Sequence, residues 1–161
     1  MRNEVQSAKC KVQRKGFTLI ELLVVISVIG ILAALFLARF GTAEKSARDS
    51  RRKSDLNQYR TALENYGIKT GGVYPVRTTA GNASTGEPCT TLSGTYLSVC
   101  PQDPRQDETY FYRYQTDAGG LNYILWARME TGTGATNYWY LCSSGKSSEK
   151  QSTPAASDCG F

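Results

Sequence analysis

The sequence contains no histidine, only two methionines, and no proline before Pro75. Without histidine the chain cannot form a Ser–His or Cys–His pair for nucleophilic catalysis, and no glycine-rich loop follows a predicted strand to bind phosphate. No CxxC pair is present, which, together with the missing histidine, argues against a zinc site. We therefore expect no catalytic residue, no cofactor and no metal site, and we predict that the protein is not an enzyme.

Positive charge is concentrated at the N-terminus. The formal net charge of the 161 residues is +5, of which residues 1–16 supply +4 from five basic residues and one acid. The remaining 145 residues carry a net charge of only +1. Because the body of the chain is nearly neutral, its charge does not indicate a nucleic acid as a partner.

A long apolar run follows this basic leader. Residues 22–38 carry no charged side chain, and residues 17–40 are long enough to cross a hydrocarbon core as one helix of about 20 or more residues. A secretory signal peptide cleaved after the run, near Ala43, is the alternative. Its apolar region normally spans about 7–15 residues, so the length of this run favours a retained membrane segment.

Glu21 interrupts the start of the apolar run. The carboxylate either reaches back to headgroup water beside Arg14 and Lys15, or it has a function that outweighs the cost of burying it. The residues themselves leave these alternatives equally open.

The stretch KGFTLIELLVVISVIGILAAL, which begins at Lys15, resembles the N-terminus of type IV prepilins and of the pseudopilins of type II secretion. The resemblance implies that a prepilin peptidase cleaves between Gly16 and Phe17 and methylates the new Phe17 amine. It also implies that the Glu21 carboxylate pairs with the Phe17 amine of a neighbouring subunit, which would fix the axial register of a filament.

The resemblance also implies where the protein is found and what it binds. The precursor would be a single-pass protein of the cytoplasmic membrane, in contact with lipid, and its head would lie on the extracytoplasmic side. After processing it would join a filament in the periplasm or at the cell surface. The expected partners are identical or related pilin subunits, the prepilin peptidase and the assembly platform.

An amphipathic helix is predicted to continue beyond the membrane segment. Leu56, Tyr59, Leu63 and Tyr66 recur at helical spacing, and Gly67 is the expected end of the helix. The charged residues between positions 44 and 55 are expected to be solvated.

Four of the five cysteines lie in the C-terminal part of the chain, and Cys10 lies in the leader. Four cysteines in a small domain beyond a membrane anchor indicate two disulfides and an oxidising, extracytoplasmic compartment. Of the three possible pairings we favour the two sequence-local ones, which are Cys89–Cys100 and Cys142–Cys159.

The C-terminal head is predicted to contain an antiparallel sheet. Residues 76–109 are loop-rich, and three stretches with alternating apolar residues follow at 110–115, 122–129 and 137–142. We expect this meander to pack on the helix stripe, which gives an α+β fold. Asp103 and Asp107 are a weak candidate for a calcium site, since calcium prefers several oxygen ligands.

The predicted function is therefore that of a structural subunit of a type IV pilus-like filament or a secretion pseudopilus. The alternative is a minor tip pilin, an adhesin or a DNA-uptake pilin whose head binds a ligand. Four segments are expected: a removed leader (1–16), a membrane and filament-core helix (17–40), its amphipathic continuation (41–67) and a disulfide-bearing β head (68–161).

Overall fold

The computed structural model describes residues 16–161 except residues 133 and 135, and it leaves the side chains of residues 37–39 undescribed. Its contacts divide the chain into two units, Met1–Phe40 and Gly41–Phe161, and each unit is described by itself. The expected leader is outside the described residues apart from Gly16.

The first unit contains the N-terminal part of helix α1, which spans Leu19–Thr70 as a whole. Within it the segment Leu19–Phe36 is long and apolar enough to cross a membrane, with a mean hydropathy of 2.8 and no residue buried inside the protein. Isolated helices of this kind expose apolar side chains that water solvates poorly, so this segment needs lipid or other helices around it.

Helix α1 ends at Thr70 instead of the predicted Gly67, because Gly67 serves packing and not termination. A Cβ atom at position 67 would lie 2.9 Å from the ring of Tyr74, so only glycine lets this ring pack against the helix. Termination occurs at Gly71, which has a φ of 74°, and the Gly72 N–H donates to the Gly67 carbonyl at 2.7 Å. This is the glycine-based C-terminal cap that satisfies free helix carbonyls.

The second unit contains a five-stranded antiparallel sheet whose strands follow one another in chain order. The strands are β1 (Gly81–Asn82), β2 (Arg113–Thr116), β3 (Tyr123–Met129), β4 (Asn137–Cys142) and β5 (Ser147–Lys150), with a short helix α2 (Cys89–Leu92) and a 3₁₀ turn (Ala156–Cys159) outside the sheet. The α+β prediction, a long helix followed by an antiparallel sheet, is confirmed.

The main core lies between α1 and one face of the sheet. Tyr114, Leu125 and Leu141 stand opposite one another across β2, β3 and β4, and they pack with Leu56 and Leu63 of the helix. The opposite face carries a smaller apolar cluster, whose members are Ile124, Trp126, Tyr140, Cys142, Tyr138, Cys159 and Phe161. The central strand β3 is therefore buried on both faces.

Strand β2 starts at Arg113 and not at residue 110, as we predicted. The backbone N–H groups of Thr109 and Tyr110 donate to Oδ1 of Asp107, at 2.9 and 2.8 Å, which forms a turn. This local side-chain acceptor competes with sheet pairing, so the strand begins only beyond the turn.

Candidate assembly site

The residues around the predicted cleavage point are exposed. Phe17 is 88% exposed, and a Cβ atom at Gly16 would meet no atom within 4 Å. Glycine at position 16 is therefore not required by packing within the described residues. Lys15 lies outside them, and its predicted role in processing remains a prediction.

Glu21 forms a hydrogen-bonded cap at the start of α1. Its Oε2 atom accepts the Thr18 backbone N–H at 2.8 Å and the Thr18 hydroxyl at 2.7 Å. The Thr18 Oγ1 atom in turn accepts the Glu21 N–H at 3.3 Å. This reciprocal arrangement is a capping box, which satisfies two N–H groups that a helix start otherwise leaves free.

The cap gives Glu21 a partner within its own chain that the sequence interpretation missed. The pattern T-x-x-E at residues 18–21, directly before an apolar run, is the usual signal for such a cap. A carboxylate has about four lone-pair sites, and Oε1 makes none of these contacts. The cap is therefore compatible with a second, intermolecular role for the exposed carboxylate.

Two disulfides are present in the second unit. Cys89 is bonded to Cys100 and Cys142 to Cys159, with Cα–Cα distances of 5.9 and 5.5 Å. The first joins α2 to the loop beyond it. The second joins the end of β4 to the 3₁₀ turn, where the C-terminal segment covers the outer face of the sheet.

Part of the charged stretch of α1 is buried, contrary to our prediction that it is solvated, whereas Glu44, Lys45 and Arg51 are exposed. Arg52 is fully buried and donates from Nε and Nη2 to both oxygens of Asp103, at 2.7 and 2.9 Å. Its Nη1 atom also donates to Asp49 at 2.7 Å and to Glu130 at 2.8 Å. One guanidinium thus bridges three carboxylates from the helix, the loop before β2 and the end of β3.

Asp49 and Glu130 connect this ion cluster to further groups of the helix and of the loop after β3. Asp49 accepts the backbone N–H groups of Glu130 and Thr131 as well as the Thr131 hydroxyl, so it caps the loop after β3. Glu130 accepts two hydrogen bonds from Arg48, both at 2.7 Å. These bonds, with those from Arg52, lower the pKa of Glu130 to about 2. Burial raises the pKa of Asp49, but the hydrogen bonds from Thr131, Glu130 and Arg52 outweigh this effect and hold the pKa below its ordinary value.

The weak calcium candidate is not supported by the geometry. Both oxygens of Asp103 are occupied by Arg52, and Asp107 binds Arg105 and a backbone turn. No group of three or more metal-ligating residues occurs in the part of the chain that the structure describes. Of the two aspartates, Asp103 is the buried one, and its neighbour is the buried guanidinium of Arg52.

Two further helix carboxylates bind tyrosine hydroxyls of the sheet side. Tyr112 donates to Asp55 at 2.6 Å, and Tyr123 donates to Glu64 at 2.7 Å. Burial raises the pKa of Asp55 above its ordinary value. The tyrosines therefore act as buried core residues with satisfied hydroxyls, as is usual for this residue type.

Comparison with known proteins supports the resemblance carried by the N-terminus. Residues 11–37 match the family described as prokaryotic N-terminal methylation motif. The type IV major fimbrial protein FimA of Dichelobacter nodosus is 45% identical over 51 residues, which are 32% of this chain and 33% of FimA. The fimbrial protein EcpB of Eikenella corrodens is 41% identical over 61 residues, 38% of each chain.

These matches show that the N-terminal segment is similar to that of type IV fimbrial proteins. The chain spans about a third of the length of the curated relatives it matches. No solved structure matches the chain. The matched relatives are named as fimbrial proteins, which agrees with the prediction that the protein is not an enzyme.

Proposed function

We propose that this protein is the subunit of a type IV pilus, which polymerises through its N-terminal helix after removal of residues 1–16. The observation that carries the proposal is the arrangement at the start of α1. Phe17 and Glu21 stand at the end of an exposed apolar helix, within the segment that matches the methylation motif. Before assembly this helix would anchor the precursor in the cytoplasmic membrane, with the head on the extracytoplasmic side.

Cleavage before Phe17 would create a cationic amine at the edge of an apolar surface. In a bundle of such helices neither this amine nor the Glu21 carboxylate is stable alone, because an unpaired charge in an apolar medium costs several kcal/mol. Pairing between subunits satisfies both charges, and it fixes the axial position of one subunit on the next. The partners are therefore identical or related subunits, together with the peptidase and the assembly platform.

A pilus is favoured over a secretion pseudopilus by the names of the relatives, which are fimbrial proteins. The near-neutral head gives no charge argument for a DNA-uptake role. The two disulfides in the head suit an oxidising compartment outside the cytoplasm.

The test is a substitution that separates the charge of Glu21 from its capping role. Glu21→Gln retains an acceptor for the Thr18 N–H, since glutamine also completes a capping box, but it removes the negative charge. We expect normal membrane insertion and processing but few or no filaments. Removing one partner of a buried ion pair typically costs about 3–5 kcal/mol.

The measurement is electron microscopy of sheared cell fractions beside an immunoblot for processed protein. Ser27→Ala is the matched control, because Ser27 lies in the same helix and its hydroxyl only binds its own Leu23 carbonyl. It should assemble normally. Abundant filaments from Glu21→Gln would show that the carboxylate is needed only as a helix cap.

A further inference from the structure

Within the second unit, α1 is attached to the rest of the head by polar contacts at several levels along its axis. Residues 41–47 of the helix are all exposed, and Arg48, one turn beyond Glu44, binds Glu130 at the end of β3. From there on, five helix side chains bind loops or strands of the head, namely Arg48, Asp49, Arg52, Asp55 and Glu64. They do so in addition to the half-exposed Lys53, which binds Glu149, and the Tyr59 hydroxyl, which donates to the Pro101 carbonyl.

Each of these contacts fixes a direction as well as a distance. The planar guanidinium of Arg52 meets Asp103 through two parallel N–H bonds, a geometry that tolerates little displacement. Asp49 accepts two consecutive backbone N–H groups, so it is tied to the main chain of Glu130 and Thr131 in addition to its side-chain partners.

The apolar contacts beside them lack this directionality. Leu56, the ring of Tyr59 and Leu63 recur at about one helical turn, and one turn advances the helix by about 5.4 Å. The Tyr59 hydroxyl is the exception in this stripe, since it donates to the Pro101 carbonyl at 2.9 Å. If the helix slid along the sheet by one turn, each apolar side chain of the stripe would occupy the position that the next apolar side chain had occupied before. Since hydrophobic contact is non-directional, the leucines of the stripe oppose such a slide less specifically than the polar pairs do, although the slide would also disrupt the packing of the Tyr74 ring on Gly67.

The same slide would separate every polar pair. Arg52 and Glu130 are 0% and 3% exposed at their side chains, so the charges would be left inside the protein without partners. Breaking a buried ion pair in this way is strongly unfavourable, whereas replacing the whole pair by apolar residues of similar volume is often neutral. The polar contacts therefore contribute far more to the axial register of the helix than to net stability.

We propose that the five helix side chains and their partners form an axial lock, which prevents α1 from sliding along the sheet when the helix is pulled. Tension entering through the N-terminal helix would reach the head first at Arg48 and Asp49. The need to withstand tension rests on the proposed filament function, but the lock is a property of a single subunit and can be tested without assembly.

The test is constant-force unfolding of the full chain in detergent micelles, held through tags at its two ends. The variant is Asp55→Leu with Tyr112→Phe, which removes one polar pair of the lock, leaves an apolar contact and leaves no buried charge without its partner, because Arg51, which also contacts Asp55, is 66% exposed. We expect its thermal midpoint to stay close to that of the wild type and its unfolding under force to be about tenfold faster.

Leu63→Ala is the control for stability, because it removes apolar contact and leaves every polar pair in place. It should lower the thermal midpoint clearly and accelerate forced unfolding less than the double variant does. A double variant that unfolds under force at the wild-type rate, or more slowly than Leu63→Ala, would overturn the lock.

A single substitution covers the case in which the double variant does not fold. Arg48→Gln removes a half-exposed guanidinium that binds Glu130, so the fold should survive. We expect forced unfolding to be about threefold faster than in the wild type, whereas Lys45→Gln, at an exposed position before the lock, should leave the rate unchanged. Equal rates for the two variants would contradict the proposal.

Discussion

Replacing Arg52 alone by methionine should destabilise the head severely, although methionine fills much of the same volume. The substitution deletes one guanidinium that donates four hydrogen bonds, at 2.7–2.9 Å, to three carboxylates. The three acids have side chains that are only 1–7% exposed, so water cannot replace the lost partner.

The expected loss of unfolding free energy is about 3–5 kcal/mol, the usual cost of leaving a buried charge without its partner. For a domain of this size 1 kcal/mol lowers the melting temperature by roughly 3–6 °C, so the midpoint should fall by roughly 10–30 °C. Thermal unfolding of the full chain in detergent, followed by near-ultraviolet circular dichroism, measures this shift.

Arg51→Met is the matched control, since Arg51 is the adjacent residue, has a side chain that is 66% exposed and makes one contact of 3.8 Å to Asp55. An exposed ion pair contributes about 0–1 kcal/mol, so the control should melt close to the wild type. If Arg52→Met melts no lower than Arg51→Met, the buried carboxylates do not need the Arg52 guanidinium as a partner and the reasoning fails.

Two further predictions concern acid and reduction. Arg48 and Arg52 lower the pKa of Glu130 from 4.5 to about 2. The contribution of Glu130 to stability is therefore complete above its ordinary pKa, and it disappears as the pH falls from about 4.5 to 2. Urea titrations at different pH values should show this loss of stability, and Arg48→Gln should make the loss smaller. Cys142→Ser should lower the unfolding free energy by about 2–5 kcal/mol. Peptide mapping of the wild-type protein without reductant should recover Cys142 linked to Cys159. Free thiols on wild-type protein from the extracytoplasmic side would contradict the expected oxidised state.

The sequence was most informative where a signal is local and periodic. An apolar run of membrane length needs no partner to be recognised, and the stripe of Leu56, Tyr59 and Leu63 identifies the buried face of the helix because helical periodicity alone determines it. The alternation along β3 and β4 likewise predicts these strands, since each side chain points to the opposite face from the one before.

The ion cluster was missed because its members are distant in sequence. Arg52 and Asp103 are separated by 51 residues, and Arg52 and Glu130 by 78. No local pattern distinguishes a charge that will meet a distant carboxylate from one that remains in water. Only the fold brings these groups together, and on burial frequencies alone a charged stretch is expected to be solvated.

Strands β1 and β5 were missed for a different reason. The β5 sequence at Ser147–Lys150 has no apolar alternation, and its residues lie mostly exposed at the edge of the sheet. Its pairing with β4 comes from backbone hydrogen bonds, which any residue but proline can form. Edge strands of this kind are therefore difficult to predict from the amino-acid sequence.

The most direct test of the central claim is the N-terminus of the mature protein. Mass spectrometry of the membrane or filament fraction should find a chain that begins at N-methylated Phe17, and Gly16→Val should leave the uncleaved precursor in the membrane. A mature chain that begins near Ala43, without the apolar segment, would identify an ordinary secreted protein and contradict the pilus subunit proposed here.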